Sequence, residues 1–450
     1  MKILLVDLPT VLPTAVARPR IQPPLWAAYL TSYKAVGIVN YLDARAENGA
    51  SWKTHDHWQT WGLANHELVE QICVTNSDVV GIHIGVSTEL GVATELVELL
   101  KKRSKARILL GGPGIALVPI EFLPHGLSEV EICRTVGFGK LLGMNLFVSS
   151  PDINVLPHRE IWWDRYEEVY QSNGNFHSGP PLVSPSLQLE TSVGCGAQCE
   201  FCATRGTLIR RSLESVKAEL EWLRAHGIAG VHFEDDNILA WTNTQVQEAL
   251  PYLNLAVDLG FRAIEFPNGI TVRGMLSPLF LAWCDEALEK GVSIKLALPF
   301  ESASDGLLTA VFKPHRREHC DTLAEKLLPL VSKGLIAEVF LQIGFHIVHK
   351  DGHLEMENDE SISKTLQWAD KLNQQGFQVN CWFNSPIPGT PLFAPWRRSF
   401  PDAQWEELLF SIPSRFYPEE YRKELERRAK GVNTARRAAA FQPATSPSGV

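Results

Sequence analysis

The sequence predicts an α/β protein built from two parallel-sheet units in series and closed by a short helical region. Three observations lead to this class. Apolar runs of strand length alternate with amphipathic runs of helix length along most of the chain, which is the pattern of βα units. The first such series ends its fourth strand on glycines, Gly111-Gly112-Pro113-Gly114, as open sheets do where they meet a ligand. At the head of the second series stands a crowded cysteine run, Cys195-Gly-Ala-Gln-Cys199-Glu-Phe-Cys202, directly after an apolar strand.

Bulk properties bound the rest. A chain of 450 residues exceeds the usual size of one hydrophobic core, so two or more domains are expected. Its 42 basic and 51 acidic residues leave a net charge of −9, which argues against a general nucleic-acid or anionic-membrane surface. No apolar run is long enough to span a bilayer. The opening Met1–Asp7 reads as a buried strand and not as a signal peptide, because Asp7 interrupts it and Pro9 follows. Eight cysteines, three in one motif and five scattered, fit a reducing cytoplasm. The five others, Cys73, Cys133, Cys284, Cys320 and Cys381, read as small buried hydrophobes.

Residues 1–140 are expected to form a Rossmann-like domain. Lys2–Asp7 is its first strand, and Pro23 opens a helix reaching Tyr33. Val39–Asp43 is a second strand, a helix near Asn65–Ile72 leads into a third over Asp78–Gly85, and Leu90–Lys102 is amphipathic before the fourth, Ala106–Gly112. Ligands of such sheets bind beyond the carboxyl ends of the strands. Here those segments are Leu8, Pro9 and Thr10, then Gly85 with Val86, Ser87 and Thr88, then Gly111, Gly112, Pro113 and Gly114. Small residues and hydroxyls at these places let a bulky ligand approach the backbone. His55 and His57 fall in a polar, Trp-rich loop and read as solvated. Residues 141–185, rich in Pro, Ser, Asn and Gly, read as a linker or wrap, with Trp162 and Trp163 filling local core.

Residues 186–395 carry six further strands. After the cysteine run come a helix over Leu213–Ala225 and a strand from Gly230 to Asn237, then a helix over Gln245–Leu259 and a strand over Phe261–Gly269. Next are the helix Leu279–Lys290 with the strand Val292–Ser302, and the helix Leu323–Gly334 with the strand Glu338–Phe345. The helix Ser361–Gln375 and the strand Phe377–Pro386 complete the series. With the strand before the cysteines, six βα units fit a partial (β/α)6 TIM-type barrel whose chemistry sits at the carboxyl ends of its strands. Three thiolates within eight residues suit a soft metal centre. A structural zinc wants a fourth ligand that no second close cysteine pair supplies, and the odd count of three cysteines in the run argues against disulfides within it. A four-iron cluster held by three thiolates keeps one iron open.

The spacing, with Phe201 ahead of the last cysteine, resembles the radical S-adenosylmethionine (radical SAM) family, whose signature is CxxxCxΦC with Φ aromatic. The first domain resembles the cobalamin-binding domain that precedes many of these enzymes, through Leu8-Pro-Thr10, Asp78-Val-Val-Gly-Ile82, Val86-Ser-Thr88 and Leu109-Leu-Gly-Gly-Pro-Gly114. Glu234-Asp235-Asp236-Asn237 resembles the EDDN of cobalamin-type members, Pro299-Phe-Glu301-Ser302 their PFES, and Pro386–Pro391 their terminal PLPGTPL. The resemblance implies that Cys195, Cys199 and Cys202 hold a 4Fe–4S cluster. It implies SAM contacts from Phe201, Glu234, Asp235, Asp236, Asn268, Glu301, Ser302 and Gln342. Cobalamin contacts are implied for Leu8, Pro9, Thr10, Val86, Ser87, Thr88 and Gly111 through Gly114.

Two departures stand out. There is no DxHxxG after the first strand, so the lower face of a bound cobalamin is expected to lack a protein histidine. Where many relatives read IGFPGET after the fifth barrel strand, this chain has His346, His349 and His353, taken as a substrate-contacting or ordinary polar loop. The expected activity is cobalamin-dependent methylation of an unactivated carbon on a small-molecule or natural-product substrate, with a flavodoxin or ferredoxin type reductant. The competing readings are a radical rearrangement, cyclisation or oxidation without methyl transfer, and a non-catalytic iron–sulfur or cobalamin carrier. Neither nucleic acid nor membrane is an expected partner. Residues 396–432 are expected as a helical region with a solvated charged helix over Pro418–Lys430, and 433–450 as a disordered tail. With no long β-rich segment after the barrel, a tRNA methylthiotransferase is disfavoured.

Overall fold

The computed structural model describes residues 2–14, 23, 25–32, 38–134, 153–163, 182–204 and 206–440. The first sheet has five parallel strands, β1 (Lys2–Asp7), β2 (Ile38–Asp43), β3 (Val79–His83), β4 (Arg107–Gly111) and β5 (Glu131–Ile132), in the order β2-β1-β3-β4-β5. Period-two alternation decides which helix covers which face. Ile3 and Leu5 of β1 point to α1 (Leu25–Thr31), meeting Trp26, Ala27 and Leu30. Leu4 and Val6 point the other way, to α2 (Asn65–Val74) and α3 (Leu90–Arg103), meeting Leu68, Val69 and Leu96. The sheet is therefore covered on both faces, as its continuous apolar strands require.

One element departs from expectation. Thr10–Pro13 pairs antiparallel with Trp58–Gly62, which pairs in turn with Ser51–Thr54. The polar loop is a hairpin, with Trp52 and Trp61 facing each other at 5.1 Å between ring centres. Its exposed turn, His55-Asp56-His57, conceals the strand pattern on either side.

The second sheet is six-stranded and parallel throughout: β6 (Ser186–Leu189), β7 (Gly230–Phe233), β8 (Ala263–Phe266), β9 (Ser293–Glu301), β10 (Ile336–Ile343) and β11 (Gln378–Phe383), neighbours in that order. Helices α4 (Leu213–Ala225), α5 (Asn243–Asp258), α6 (Pro278–Glu289), α7 (Arg317–Ser332) and α8 (Asp359–Gln374) connect them. Apolar faces pack between helices and sheet in one large core. A polar belt lies across the strands instead: His232 is 3.3 Å from Glu265, Lys295 3.5 Å from Glu338, and Asn380 donates to Glu338 at 2.7 Å, all almost fully buried.

An open sheet has an edge to protect. Along β11 the edge is covered by α9 (Glu419–Ala440), through Leu425, Ala429 and Val432. The Asn433 side chain accepts from the backbone N–H of Cys381 at 2.9 Å and donates to its carbonyl at 3.1 Å. The C-terminal helix thus keeps its charged face in solvent, as expected, while its apolar stripe covers the sheet edge, and it continues to Ala440 where a disordered tail was expected. Only residues 441–450 of that tail lie outside the described residues, as does much of the 141–185 linker. The described part of the linker bonds to the first domain through His158 N–H and Ala28 O at 2.8 Å, while Trp163 packs on Trp222. Within the helical region expected over 396–432, Trp405–Leu408 forms only a short turn. Phe393, Trp396, Trp405 and Leu408 insert into the core of the first domain. No described helix is long and apolar enough to cross a membrane.

Candidate functional site

The cysteine loop leaves β6 and is held from below by the residues after β7. Asp235 accepts from the Thr191 hydroxyl at 2.7 Å, the Ser192 hydroxyl at 2.5 Å and the Thr191 N–H at 3.2 Å. Asp236 accepts from Gly194 N–H at 3.0 Å. Asn237 and Trp241 donate to the Cys195 carbonyl at 3.4 and 3.2 Å. Gly194 has φ 84°, and a Cβ there would lie 2.4 Å from the Thr207 carbonyl, so the turn into the loop requires glycine. Asp235, expected to contact SAM, is 3% exposed and fully engaged with the loop; it is a positioning residue. Burial raises its pKa against the pull of the Ser192 and Thr191 bonds.

Cys199 is buried, and Cys195 and Cys202 are half-buried. Desolvation raises all three thiol pKa values, Cys199 to about 11. A metal centre here must therefore displace protons as it binds. Each thiol lies within the electrostatic reach of another. Among the described residues no three metal-binding side chains close on one point as they would around a single ion.

Facing the loop is a chain of polar side chains from three strand ends. Lys313 donates to Glu301 at 2.7 Å, Gln342 donates to Glu301 at 2.6 Å, and Asn384 donates to Gln342 at 3.3 Å. Glu301 adopts φ 66° beside a bulge in β9, a strained conformation for a residue with a Cβ, and these bonds hold it there. Burial works against the Lys313 charge, but Glu301 and the Cys199 thiol outweigh it and raise its pKa. The ammonium lies 5.2 Å from the Phe201 ring centre. Asn268 donates to the Glu234 carbonyl at 2.7 Å and to its carboxylate at 3.3 Å. Ser302, expected at the SAM site, is fully buried and bonds Thr365 of α8 at 3.2 Å, so it anchors the strand end instead.

Beside Phe201 lies a narrow cleft of about 10 Å³, room for about one water molecule, lined by Phe345, His346, Asn384 and Thr390 among others. His346 is 5% exposed, and burial lowers its pKa to about 4 against the opposing pull of the Gly344 backbone. Its neighbours in the expected histidine loop diverge: His349 bonds Glu355 at 2.9 Å on an exposed hairpin. The turn after β10 is fixed by Glu357, which accepts from Gly344 N–H at 2.8 Å and Phe345 N–H at 3.1 Å.

In the first domain, Leu8 is 2% exposed and belongs to the core, and Thr10 is tied into the antiparallel sheet, so neither lines an open crevice as expected. Val86 is 49% exposed, and Thr88 is buried with its hydroxyl unpartnered. Glycine is needed at Gly112 and Gly114 for a different reason than ligand approach: a Cβ would lie 2.3 Å from Ile84 O and 2.5 Å from Val86 C. The strand-end loops pack on each other. Glu89 accepts from Gly85 N–H at 2.9 Å, and burial raises its pKa to about 7. The two units meet at Gly389, where a Cβ would touch Leu117 of the first domain at 2.8 Å and Ala203 of the cysteine loop at 3.4 Å. The crevice end of the first domain therefore borders the cysteine loop. The buried Thr88 hydroxyl and an unpartnered His83 nitrogen fit a polar ligand there.

Sequence reading missed Lys313, Asn384, His346 as a cleft wall, and His83. None of them carried a local signal, since the positive φ of Phe312, just before Lys313, is visible only in the fold.

No family model matches the chain. Among curated proteins, the tRNA-2-methylthio-N(6)-dimethylallyladenosine synthases of Mycolicibacterium paratuberculosis and Aromatoleum aromaticum are 26% identical over 236 residues and 27% identical over 229 residues. The matches cover 50% and 48% of this chain and 43% and 48% of those proteins, so the chain spans less than half the length of these curated relatives. Among solved structures, the cobalamin-dependent S-adenosylmethionine radical enzyme OxsB with aqua-cobalamin bound superposes with a TM-score of 0.57 at 14% identity, covering 94% of this chain and 56% of that one. The radical S-adenosylmethionine methyltransferase TsrM from Kitasatospora setae, with cobalamin and a 4Fe–4S cluster bound, gives 0.55 at 16% identity, covering 88% and 78%. These two likenesses are likenesses of fold.

Proposed function

We propose that this chain, built on the fold of the cobalamin-dependent S-adenosylmethionine radical enzymes, is a radical SAM enzyme that methylates an unactivated carbon of a small-molecule substrate. The observation that carries the reading is the three-thiol loop facing Lys313 and Glu301 on one side and bordered by the first domain at Leu117 on the other. When bound, the cluster supplies the electron that cleaves SAM to a 5′-deoxyadenosyl radical, and the cobalamin supplies a methyl group.

The chain's own residues bind, orient and shield. Cys195, Cys199 and Cys202 would hold the cluster, and Asp235, Asp236, Asn237 and Trp241 fix the loop that carries them. Lys313 offers a buried cation to the methionyl carboxylate, and Glu301 and Glu234 offer carboxylates to the ammonium and ribose hydroxyls of SAM. Asn268 and Gln342 orient those acids through hydrogen bonds. Phe201 and Phe345 meet edge to face beside the neutral His346 and give the SAM site an uncharged flank. The belt of His232, Glu265, Lys295 and Glu338 closes the barrel interior, keeping water from a reactive radical. Cobalamin is assigned to the crevice formed by Val86, Ser87, Thr88 and the Gly111–Gly114 segment. A one-electron protein reductant is the implied partner.

The test is anaerobic purification, reconstitution with iron and sulfide, and spectra with and without hydroxocobalamin. Cluster absorbance in the wild type and its loss in Cys199→Ala are expected; absorbance unchanged by that substitution would sink the radical SAM assignment. Formation of 5′-deoxyadenosine together with S-adenosylhomocysteine supports methylation. The curated matches favour a second reading, radical chemistry without methyl transfer from cobalamin, which predicts 5′-deoxyadenosine and no cobalamin requirement.

A further inference from the structure

We propose that the inner face of β9–β11 seats a neutral, planar ring of the substrate on Phe340 and Trp382; the inference rests on the radical SAM reading above and names the class of its substrate. Period two divides each of these strands between two faces. Val339, Leu341 and Ile343 of β10 and Val379, Cys381 and Phe383 of β11 join the core under the helices. Phe340 and Trp382 alternate with them and face the barrel interior, as Pro299 does between Leu298 and Phe300 on β9. Register makes the three one patch. Pro299 stands opposite Phe340, and Trp382 stands opposite Gln342, two residues further along β10. Neither aromatic ring belongs to the apolar core on the other face.

Exposure along this face marks how deep the barrel is open. Lys295 and Glu338 are 5% and 1% exposed, and Asn380, which donates to Glu338, is 3% exposed, so this group closes the floor. Phe340, two residues above Glu338 on the same strand, is half-buried, as are Pro299, Gln342 and Trp382. Solvent therefore reaches two aromatic rings between the floor and the mouth. Barrel interiors are ordinarily filled by layers of their own side chains, and large aromatic surface is costly to leave wet. The charges beside the patch are already paired, Lys295 with Glu338 and Lys313 with Glu301. An ionic ligand would find no counter-charge there, whereas a neutral ring gains by stacking on rings. Gln342 joins the patch to the residues assigned to SAM, since it donates to Glu301 at 2.6 Å and stands opposite Trp382. A ring held on Phe340 and Trp382 thus borders the assigned SAM site.

Saturation-transfer NMR on the reconstituted, SAM-loaded full-length protein tests this with 2-naphthol, a neutral planar probe, and decahydro-2-naphthol, its puckered saturated counterpart. The planar probe is expected to bind, and the saturated one to bind about fivefold more weakly or worse. Phe340→Leu and Trp382→Leu keep apolar bulk and remove one ring each, so each should weaken 2-naphthol by about fivefold or more. Trp382→Phe should restore binding. Far-ultraviolet circular dichroism and SAM affinity should match the wild type in all three variants. No binding of 2-naphthol to the wild type, equal binding of the two probes, or undiminished binding in both leucine variants overturns the proposal. A parallel fall in SAM affinity in the leucine variants assigns the rings to the adenine of SAM and overturns it as well. The recess is built from barrel side chains alone, so probe binding is read whether or not a cluster forms, and cluster absorbance in the same samples decides the radical SAM reading separately.

Discussion

The ammonium of Lys313 lies 2.7 Å from Glu301 Oε1 and 5.2 Å from the centre of the Phe201 ring, so one buried cation serves both a barrel strand end and the cysteine loop. Lys313→Met leaves Glu301 without its counter-charge and removes the group assigned to the SAM carboxylate. SAM affinity is expected to fall at least about tenfold, a loss of roughly 1.4 kcal/mol. Equilibrium binding to the reconstituted protein checks this, and an unchanged dissociation constant removes Lys313 from the site.

Asp235 acts on the three thiols through the backbone that carries them. Asp235→Ala strips three hydrogen bonds from Thr191 and Ser192. Each bond to a charged acceptor is worth about 1.5–3 kcal/mol, so the loop should loosen before the barrel unfolds. Iron and sulfide content per chain should drop while the far-ultraviolet circular dichroism is retained.

The interior belt is costly to break from one side. Lys295→Met leaves the Glu338 carboxylate buried without its cation and should destabilise the protein by about 3–5 kcal/mol in denaturant unfolding. The double variant Lys295→Met with Glu338→Leu should recover much of that loss. Equal instability of single and double variants would assign the cost to packing.

Burial raises Glu357 from its ordinary value to about 7. An acid whose folded pKa exceeds its unfolded pKa binds its proton more tightly when folded. Its contribution is full below the unfolded value near 4.5 and is lost as pH rises through about 7. Thermal stability should therefore fall between those limits, with Glu89 adding in the same sense. Glu357→Gln should flatten the dependence, and a pH profile of melting temperature identical to wild type would exclude Glu357 as its source.

The βα alternation was legible because hydrophobic period and turn residues are local properties. The direction of each side chain was legible only in part. Glu234 and Asp235 are neighbours on one strand end, and period two sends them to opposite sides, Glu234 to Asn268 at the barrel mouth and Asp235 to the cysteine loop. Treating the four EDDN residues as one patch ignored that rule. Lys313, Asn433 and His83 were illegible for another reason, since each acts on a partner distant in sequence that only the packed chain brings near. The Trp52 and Trp61 hairpin was hidden by its polar turn.

The return of Phe393, Trp396, Trp405 and Leu408 to the core of the first domain has a bearing on how the chain is made. The amino-terminal sheet leaves the ribosome early, yet part of its apolar covering is synthesised only after the whole barrel. Until Leu408 emerges, those core residues face water or a chaperone. A fragment ending at the barrel's last strand should therefore aggregate, and it should do so through its oldest residues and not its newest.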